Sequence, residues 1–184
     1  MIYRKLFHLL SLLLIIPVII LDDKWRIIFS IVFLLLVFFV DSLRQKHKGF
    51  RQLFMIFFKG LLKRNELNEY TSATYLAFSY AIINLLFSKE IVIFSLLILA
   101  ICDPIAYIFG NYIKPNITIY SKSINGFIGF LLSGIILSTF LFSEIKLTSK
   151  IFAVLVSAIV ELLTPIDDNL SVPIASSLVL KFTI

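Results

Sequence analysis

The stretch from Ile91 to Gly110 reads IVIFSLLILAICDPIAYIFG, and it decides the class of fold. At about 20 residues it is long enough to cross a ~30 Å hydrocarbon core as a helix. From Ile91 to Cys102 it carries no charged residue, and then Asp103 appears inside it. Helix is the expected conformation, because lipid offers no partner for a free backbone amide.

Working outward, the rest of the chain has the same character. Sixty per cent of the 184 residues are apolar and 15% are charged, against about 25% charged in an ordinary globular domain. Mean hydropathy is +1.02. These values exclude a water-soluble domain as the expected class. No Pro/Gly/Ser-rich linker divides the chain, so residues 1–184 read as a single membrane domain. Cys102 is the one cysteine, which excludes an internal disulfide and reads as a buried thiol.

Seven apolar stretches are predicted, at roughly 6–21, 26–40, 71–87, 91–110, 125–142, 151–164 and 170–184. The expected fold class is therefore all-α, a polytopic bundle of about seven transmembrane helices. Phe50–Leu62 carries Arg51, Gln52 and Lys59 among Phe, Met and Leu, the pattern of an amphipathic helix lying in the membrane interface. The first stretch resembles a secretory signal, but it lacks a small-residue cleavage site and runs into Asp22-Asp23. It is expected to be a retained helix.

Seven crossings place the two ends of the chain on opposite sides. The side of the N-terminus receives Arg4, Lys5, Arg44, Lys46, Lys48, Arg51, Lys59, Lys63, Arg64, Lys114 and Lys122, eleven basic residues. The other side receives Lys24, Arg26, Lys89, Lys146, Lys150 and Lys181, six. The positive-inside bias puts the N-terminal side in the cytoplasm of a multi-pass cell-membrane protein. The net charge of +6 sits between apolar spans rather than along a soluble face, so nucleic acid is not expected as a partner.

Ionisable groups within or beside a span are costly and usually mark function. Arg4, Lys5 and His8 open the first helix, with Arg4, His8 and Ser11 on one face. Asp103 lies inside the fourth span, with Ala106, Tyr107 and Gly110 following on the same face. Lys122-Ser123-Ile124-Asn125-Gly126 precedes the fifth. Glu161 ends the sixth, and Asp167-Asp168-Asn169 precede the seventh. Under the predicted topology all of these, together with Glu69 and Thr71, fall at the cytoplasmic end of their helices. Taken singly, Arg4 and Lys5 read as topology anchors, Asp103-Pro104 as a kink, and Asp167-Asp168-Asn169 as a helix cap. Their convergence is what suggests a site.

Several carboxylates close together require a cation, and hard oxygen ligands at few positions suit Mg²⁺ shared with substrate phosphates. Arg and Lys supply the opposite charge for phosphate oxygens. Asn125-Gly126 to Gly129, opening a helix, lets backbone amides approach an anion. The combination suggests phosphoryl or nucleotidyl transfer to a lipid head group. No Walker motif, kinase glycine-rich loop, HExxH or GxSxG is present.

At these residues the sequence resembles the membrane CTP-dependent lipid kinases: dolichol kinase, phytol kinase and the yeast-type diacylglycerol kinase, most of all their small prokaryotic members. The resemblance runs from Arg4-Lys5-x-x-His8 through Glu69-Tyr70-Thr71-Ser72-Ala73-Thr74, Asp103-x-x-Ala106-x-x-x-Gly110 and Lys122-Ser123-x-x-Gly126 to Asp168-Asn169-Leu170-Ser171-Val172-Pro173. It implies transfer of the CTP γ-phosphate to the hydroxyl of a polyprenol, a phytol-like alcohol or diacylglycerol. It also implies Mg²⁺ as cofactor, with the lipid alcohol, CTP and the bilayer as partners. On that basis Asp103, Asp168 and Lys122 are expected to be catalytic, and Asp103, Asp168 and Glu161 to hold the metal. Arg4, Lys5, His8, Glu69, Thr71, Gly110, Ser123, Asn125, Gly126 and Asn169 are expected to bind substrate or nucleotide. One departure stands out: the family pattern is Lys-Ser-x-Glu-Gly, and here Asn125 occupies the Glu position.

Two other readings stand beside the kinase. A phosphatidate cytidylyltransferase uses the same nucleotide and ion, but its Gly-His-Gly-Gly…Asp-Arg-x-Asp signature is missing. A small transporter or non-catalytic scaffold belongs to a different class; transporters place ionisable groups at the bilayer midplane, where this chain offers mainly Tyr80 and Asn84.

Overall fold

Helix boundaries follow from charges and caps at each end. The computed structural model describes residues 9–62, 65–115, 117–119 and 122–184. A 3-10 turn, Leu10–Leu14, leads into helix α1 (Ile15–Ile20). Helix α2 (Asp23–Lys46) has Asp23 in its first turn and Arg44 and Lys46 in its last, which matches the helix dipole at both ends. Helix α3 (Lys48–Phe58) continues through a 3-10 turn, Lys59–Leu61. Helices α4 (Ser72–Leu86) and α5 (Lys89–Leu97) come next. A π-helical turn, Ile98–Cys102, joins α5 to α6 (Asp103–Tyr112). Pro104 has no N–H for the carbonyl four residues before it, and a widened turn accommodates that loss.

The chain then forms the two-residue strands β1 (Thr118–Ile119) and β2 (Lys122–Ser123), antiparallel with Ile119 opposite Lys122. Helices α7 (Ile124–Phe140), α8 (Leu147–Leu163) and α9 (Asp168–Thr183) complete the fold. It is an all-α protein, as expected, apart from that short ladder.

Helix α9 lies at the centre, packed on α8, α4, α5 and the π turn. Pro173 interrupts its hydrogen-bond ladder and frees the Asn169 carbonyl, which accepts instead from Ser79 Oγ of α4 at 2.6 Å. Ser95 and Ser177 hydroxyls meet at 2.8 Å and tie α5 to α9. Small residues bring the other helices together. A Cβ at Gly129 would lie 2.6 Å from Phe109 Cγ, and one at Gly134 would overlap Val154, so α6, α7 and α8 depend on those hydrogens for their closeness.

Helix α2 is inverted relative to a soluble amphipathic helix. Its buried residues are Arg26, Ser30, Asp41 and Arg44, whereas Leu35, Leu36 and Phe39 are about 60% exposed. In water the polar stripe faces out. Among the described residues two helical stretches, Asp23–Lys46 and Lys89–Tyr112, are long and apolar enough to cross a membrane. Ser11–Ile20, Ser72–Leu86 and Ile124–Phe140 are apolar but shorter. The polar turns at Thr71-Ser72, Lys122-Ser123 and Thr164 to Asp167 set the ends of α4, α7, α8 and α9.

Arg44 organises the loop before α4. It pairs with Asp41 at 2.7 Å and donates to the carbonyls of Glu66 (2.8 Å) and Glu69 (2.5 Å), all in a fully buried position. Asp41 Oδ2 in turn accepts from Thr71 N, Thr71 Oγ1 and Thr74 Oγ1 at 2.6, 3.0 and 2.7 Å, capping α4. Removing one partner of a buried pair strands the other charge, a loss of about 3–5 kcal/mol. Arg44→Met is expected to destabilise the detergent-solubilised protein to that extent. Lys46→Met, at an exposed site on the same helix, is expected to stay within about 0.5 kcal/mol. Thermal unfolding followed by circular dichroism checks the contrast, and equal losses would contradict the structural role of Arg44.

Candidate active site

Lys122 is placed by the turn that ends at α7. Ser123 caps that helix, its Oγ accepting from Gly126 N at 3.0 Å. A Cβ at Gly110 would overlap Ser123 Oγ, and one at Gly126 would press on the Ala106 carbonyl at 3.0 Å, so both glycines let α6 lie directly against the turn. From there the Lys122 ammonium reaches Glu161 Oε1 at 2.6 Å and Asp168 Oδ2 at 2.5 Å. Glu161 sits in the last turn of α8, and Asp168 is the first residue of α9. Asp103, 1% exposed, comes from the junction of the π turn and α6.

Each of the carboxylates of Asp103, Glu161 and Asp168 offers an oxygen within 4.8 Å of the other two. Asp168 Oδ1 is buried and has no hydrogen-bond partner among the described residues. Burial alone would lower the Lys122 pKa, but Asp168 and then Glu161 outweigh it and hold the ammonium above its ordinary value. Lys122 therefore stays charged, and it supplies one positive charge to a group of three carboxylates. The donor set fits Mg²⁺: hard oxygens only, few of them, with one buried carboxylate oxygen still to be satisfied.

A second polar network adjoins the first through consecutive residues. Asp167 caps α9, accepting from Asn169 N at 3.1 Å and Asn169 Nδ2 at 2.7 Å. Its other oxygen accepts from Ser72 Oγ at 3.0 Å. The Ser72 hydroxyl also makes a short contact with Glu66 Oε1, and Ser72 N donates to that same oxygen at 2.8 Å. Beside this network is a cavity of about 430 Å³ between the first helix, α2, α3 and α4.

The structure thus brings together Asp103, Lys122, Glu161 and Asp168, drawn from three separate parts of the sequence, with Glu161 and Asp168 flanking the α8–α9 turn. Asn169 is in the second network, on Asp167, and Thr71 is held by Asp41 beside Arg44. Glu69 is exposed, with its main-chain carbonyl on Arg44. Gly110, Ser123 and Gly126 shape the turn that carries Lys122. Asn125 donates through Nδ2 to the carbonyls of Ile113 (2.9 Å) and Pro115 (2.8 Å), a task that a carboxylate, being acceptor-only, cannot perform. Arg4, Lys5 and His8 lie outside the described residues. Asp41, Arg44 and Glu66 were missed by the sequence reading. Asp41 had a signal, an acid ending an apolar run with Arg44 three residues on, whereas Glu66 sits in a polar loop and had none.

No family model matches the chain, and no curated protein or solved structure matches it.

If Lys122 and Glu161 share one electrostatic unit, their substitutions should not add. Lys122→Met leaves three carboxylates facing one another and is expected to destabilise. Glu161→Gln in the same chain is expected to recover part of that loss, with a coupling of about 0.5–3 kcal/mol. A double-mutant cycle on thermal unfolding measures it, and strict additivity would separate the two groups.

Proposed function

We propose that the chain is a multi-pass membrane phosphotransferase that moves the γ-phosphoryl group of CTP to the hydroxyl of a membrane lipid, with Mg²⁺ as cofactor. The observation that carries this reading is the meeting of three carboxylates and a lysine at one end of the helices. In phosphoryl transfer the protein's work is positioning and charge neutralisation, and this residue set suits both tasks.

In the proposed membrane arrangement the seven apolar stretches cross the bilayer and the N-terminus is cytoplasmic. The apolar outer face of α2 supports a hydrocarbon environment, because a contiguous exposed patch of that kind is rare on soluble monomers. The eleven-to-six distribution of Lys and Arg supports the orientation. Tyr80 and Asn84, the mid-span polar residues, are occupied between helices. The Tyr80 hydroxyl donates to Leu14 O at 3.0 Å, and Arg26 reaches Asn84 Oδ1 at 3.4 Å. That use favours an enzyme at one membrane face over a transport path.

In the proposed reaction Asp103, Glu161 and Asp168 would hold the cation, which when bound would supply charge neutralisation to the phosphates, and the Lys122 ammonium donates to phosphate oxygens of the nucleotide. The lipid hydroxyl oxygen forms its bond to the terminal phosphorus as the bond to the leaving diphosphate breaks. The hydroxyl proton passes to a carboxylate of the site. Arg4 and Lys5 are assigned to phosphate by the family resemblance, as is CTP as donor. Asn125 in the family's Glu position is read as a clamp on the 113–115 loop rather than as a base.

Purified protein given γ-labelled CTP, Mg²⁺ and a panel of lipid alcohols is expected to place label in the lipid. Asp103→Asn is expected to lower turnover at least ~100-fold, the scale of losing one charge-stabilising group, with unfolding unchanged. Release of pyrophosphate with a phospholipid acceptor would redirect the reading to cytidylyl transfer. Unchanged turnover in Asp103→Asn would remove that residue from the site.

A further inference from the structure

The Lys122 ammonium is already spent in this structure. It lies 2.6 Å from Glu161 Oε1 and 2.5 Å from Asp168 Oδ2. Those two residues are also two of the three acids whose oxygens gather within 4.8 Å of one another. Lysine therefore stands among the groups that would hold a divalent ion, not beyond them. Burial grades the cluster from back to front. Asp103 is 1% exposed, and the side chains of Glu161, Asp168 and Lys122 are 6%, 15% and 25% exposed. Lys122 is the outermost of the four, on the side from which an ion would arrive.

The ammonium is an incomplete partner for these acids. It meets Asp168 through Oδ2, while Oδ1 is buried with no hydrogen-bond partner among the described residues. A divalent ion gathers several carboxylate oxygens at once, and Mg²⁺ does so at ~2.0–2.1 Å, closer than any N–H donor approaches. Two cations sharing Glu161 and Asp168 in one buried space would repel each other strongly. Departure of the ammonium needs no backbone movement. Lys122 is held at its main chain by the ladder to Ile119, and Ser123 beside it caps α7. The charge itself rides on a flexible four-carbon stem.

We propose that Lys122 is the resident counter-ion of the carboxylate cluster and yields its place at Glu161 and Asp168 to a divalent cation. The same lysine thereby guards the site when it is empty of metal and is released toward an arriving anion when metal is bound. The inference rests on the metal site of the proposed function and deepens it: it supplies the order of events, cation first and nucleotide phosphate second. It does not depend on the identity of the nucleotide or of the acceptor.

The test uses the full chain in lipid nanodiscs with metal alone. Reductive methylation of lysines, mapped by mass spectrometry, reports whether each amine is paired or released. Adding Mg²⁺ is expected to speed modification of Lys122 about tenfold, since an ammonium freed from two carboxylates loses its proton more readily. Lys46 and Lys48, both exposed, should not respond, and K⁺ at matched ionic strength should not substitute. Asp103→Asn should abolish the response by weakening the ion's hold while leaving the lysine pairs in place. Mn²⁺ binding followed by its electron paramagnetic resonance provides the reciprocal measurement. Lys122→Met is expected to bind Mn²⁺ about tenfold more tightly, because no resident cation has to leave. Lys122→Arg, whose fork grips two carboxylates better, should bind it more weakly than the unmodified chain. Mn²⁺ binding with Lys122 still as protected as before would show that lysine and metal coexist, and would overturn the exchange while leaving the metal site. Equal Mn²⁺ affinity in all three chains would overturn it as well, and an absence of binding in every chain would remove the metal site with it. Exchange observed without any phosphoryl transfer would uphold this inference and remove the kinase reading.

Discussion

A single ammonium group between two carboxylates holds the candidate site of this molecule together. Lys122 arrives on a two-residue strand, Glu161 on the last turn of α8, and Asp168 on the first residue of α9. Glu161 and Asp168 flank one short turn, but Lys122 has no local reason to be near either. Burial supplies the reason, because charges taken out of water are costly unless they meet one another. The same constraint explains the inverted burial of α2, where Arg26 is drawn inward to Asn84 and to the Phe87 carbonyl at 2.9 Å. Once Lys122 is fixed, the geometry of its turn follows. Ser123 must cap α7, and α6 must approach close enough that Gly110 and Gly126 carry no side chain.

Much of this was legible because lipid-like sequence is a quiet background. Asp103, Lys122, Glu161 and Asp168 each interrupt or border an apolar run, so each is conspicuous, and the fold brings them together. Arg44 was not legible in that way. It stands near Lys46 and Lys48, where basic residues read as topology anchors, and only the fold delivers the Glu66 and Glu69 carbonyls to it. Thr71 and Asn169, expected at substrate on the strength of a motif, hydrogen-bond Asp41 and Asp167 in this structure. A motif names residues that share a neighbourhood; it does not say which partner each side chain meets. Span lengths were similarly hard to read, since an apolar run continues past the point where a polar turn ends the helix.

Asp167 and Asp168 illustrate how one helix terminus can serve two environments. Asp167 is the cap: one oxygen satisfies the start of α9 and the other reaches Ser72 on α4. Asp168 is the first helical residue, and its side chain turns to Lys122 instead. The helix dipole favours negative charge at both positions. It therefore eases the placement of four carboxylates, counting Asp103 and Glu161, around one end of one helix. The two networks are thus separate in their partners and joined by the backbone between those two residues.

That junction is only useful if it does not move, and α9 is braced where movement would begin. Pro173 removes a rung from the ladder one turn inside the helix, the place where a kink is expected. The freed Asn169 carbonyl is taken by Ser79 of α4, so the defect becomes a cross-link to the neighbour that also carries Ser72. The Ser176 hydroxyl folds back on the same helix, donating to the carbonyls of Val172 and Pro173 at 3.0 and 3.1 Å. Asp167, Ser72 and Ser79 then form a closed path between α9 and α4, fixed at both its ends. A site for charge neutralisation works by holding its groups in place before the reacting charge develops. In this chain that rigidity comes from a proline that weakens its own helix and thereby binds it to another.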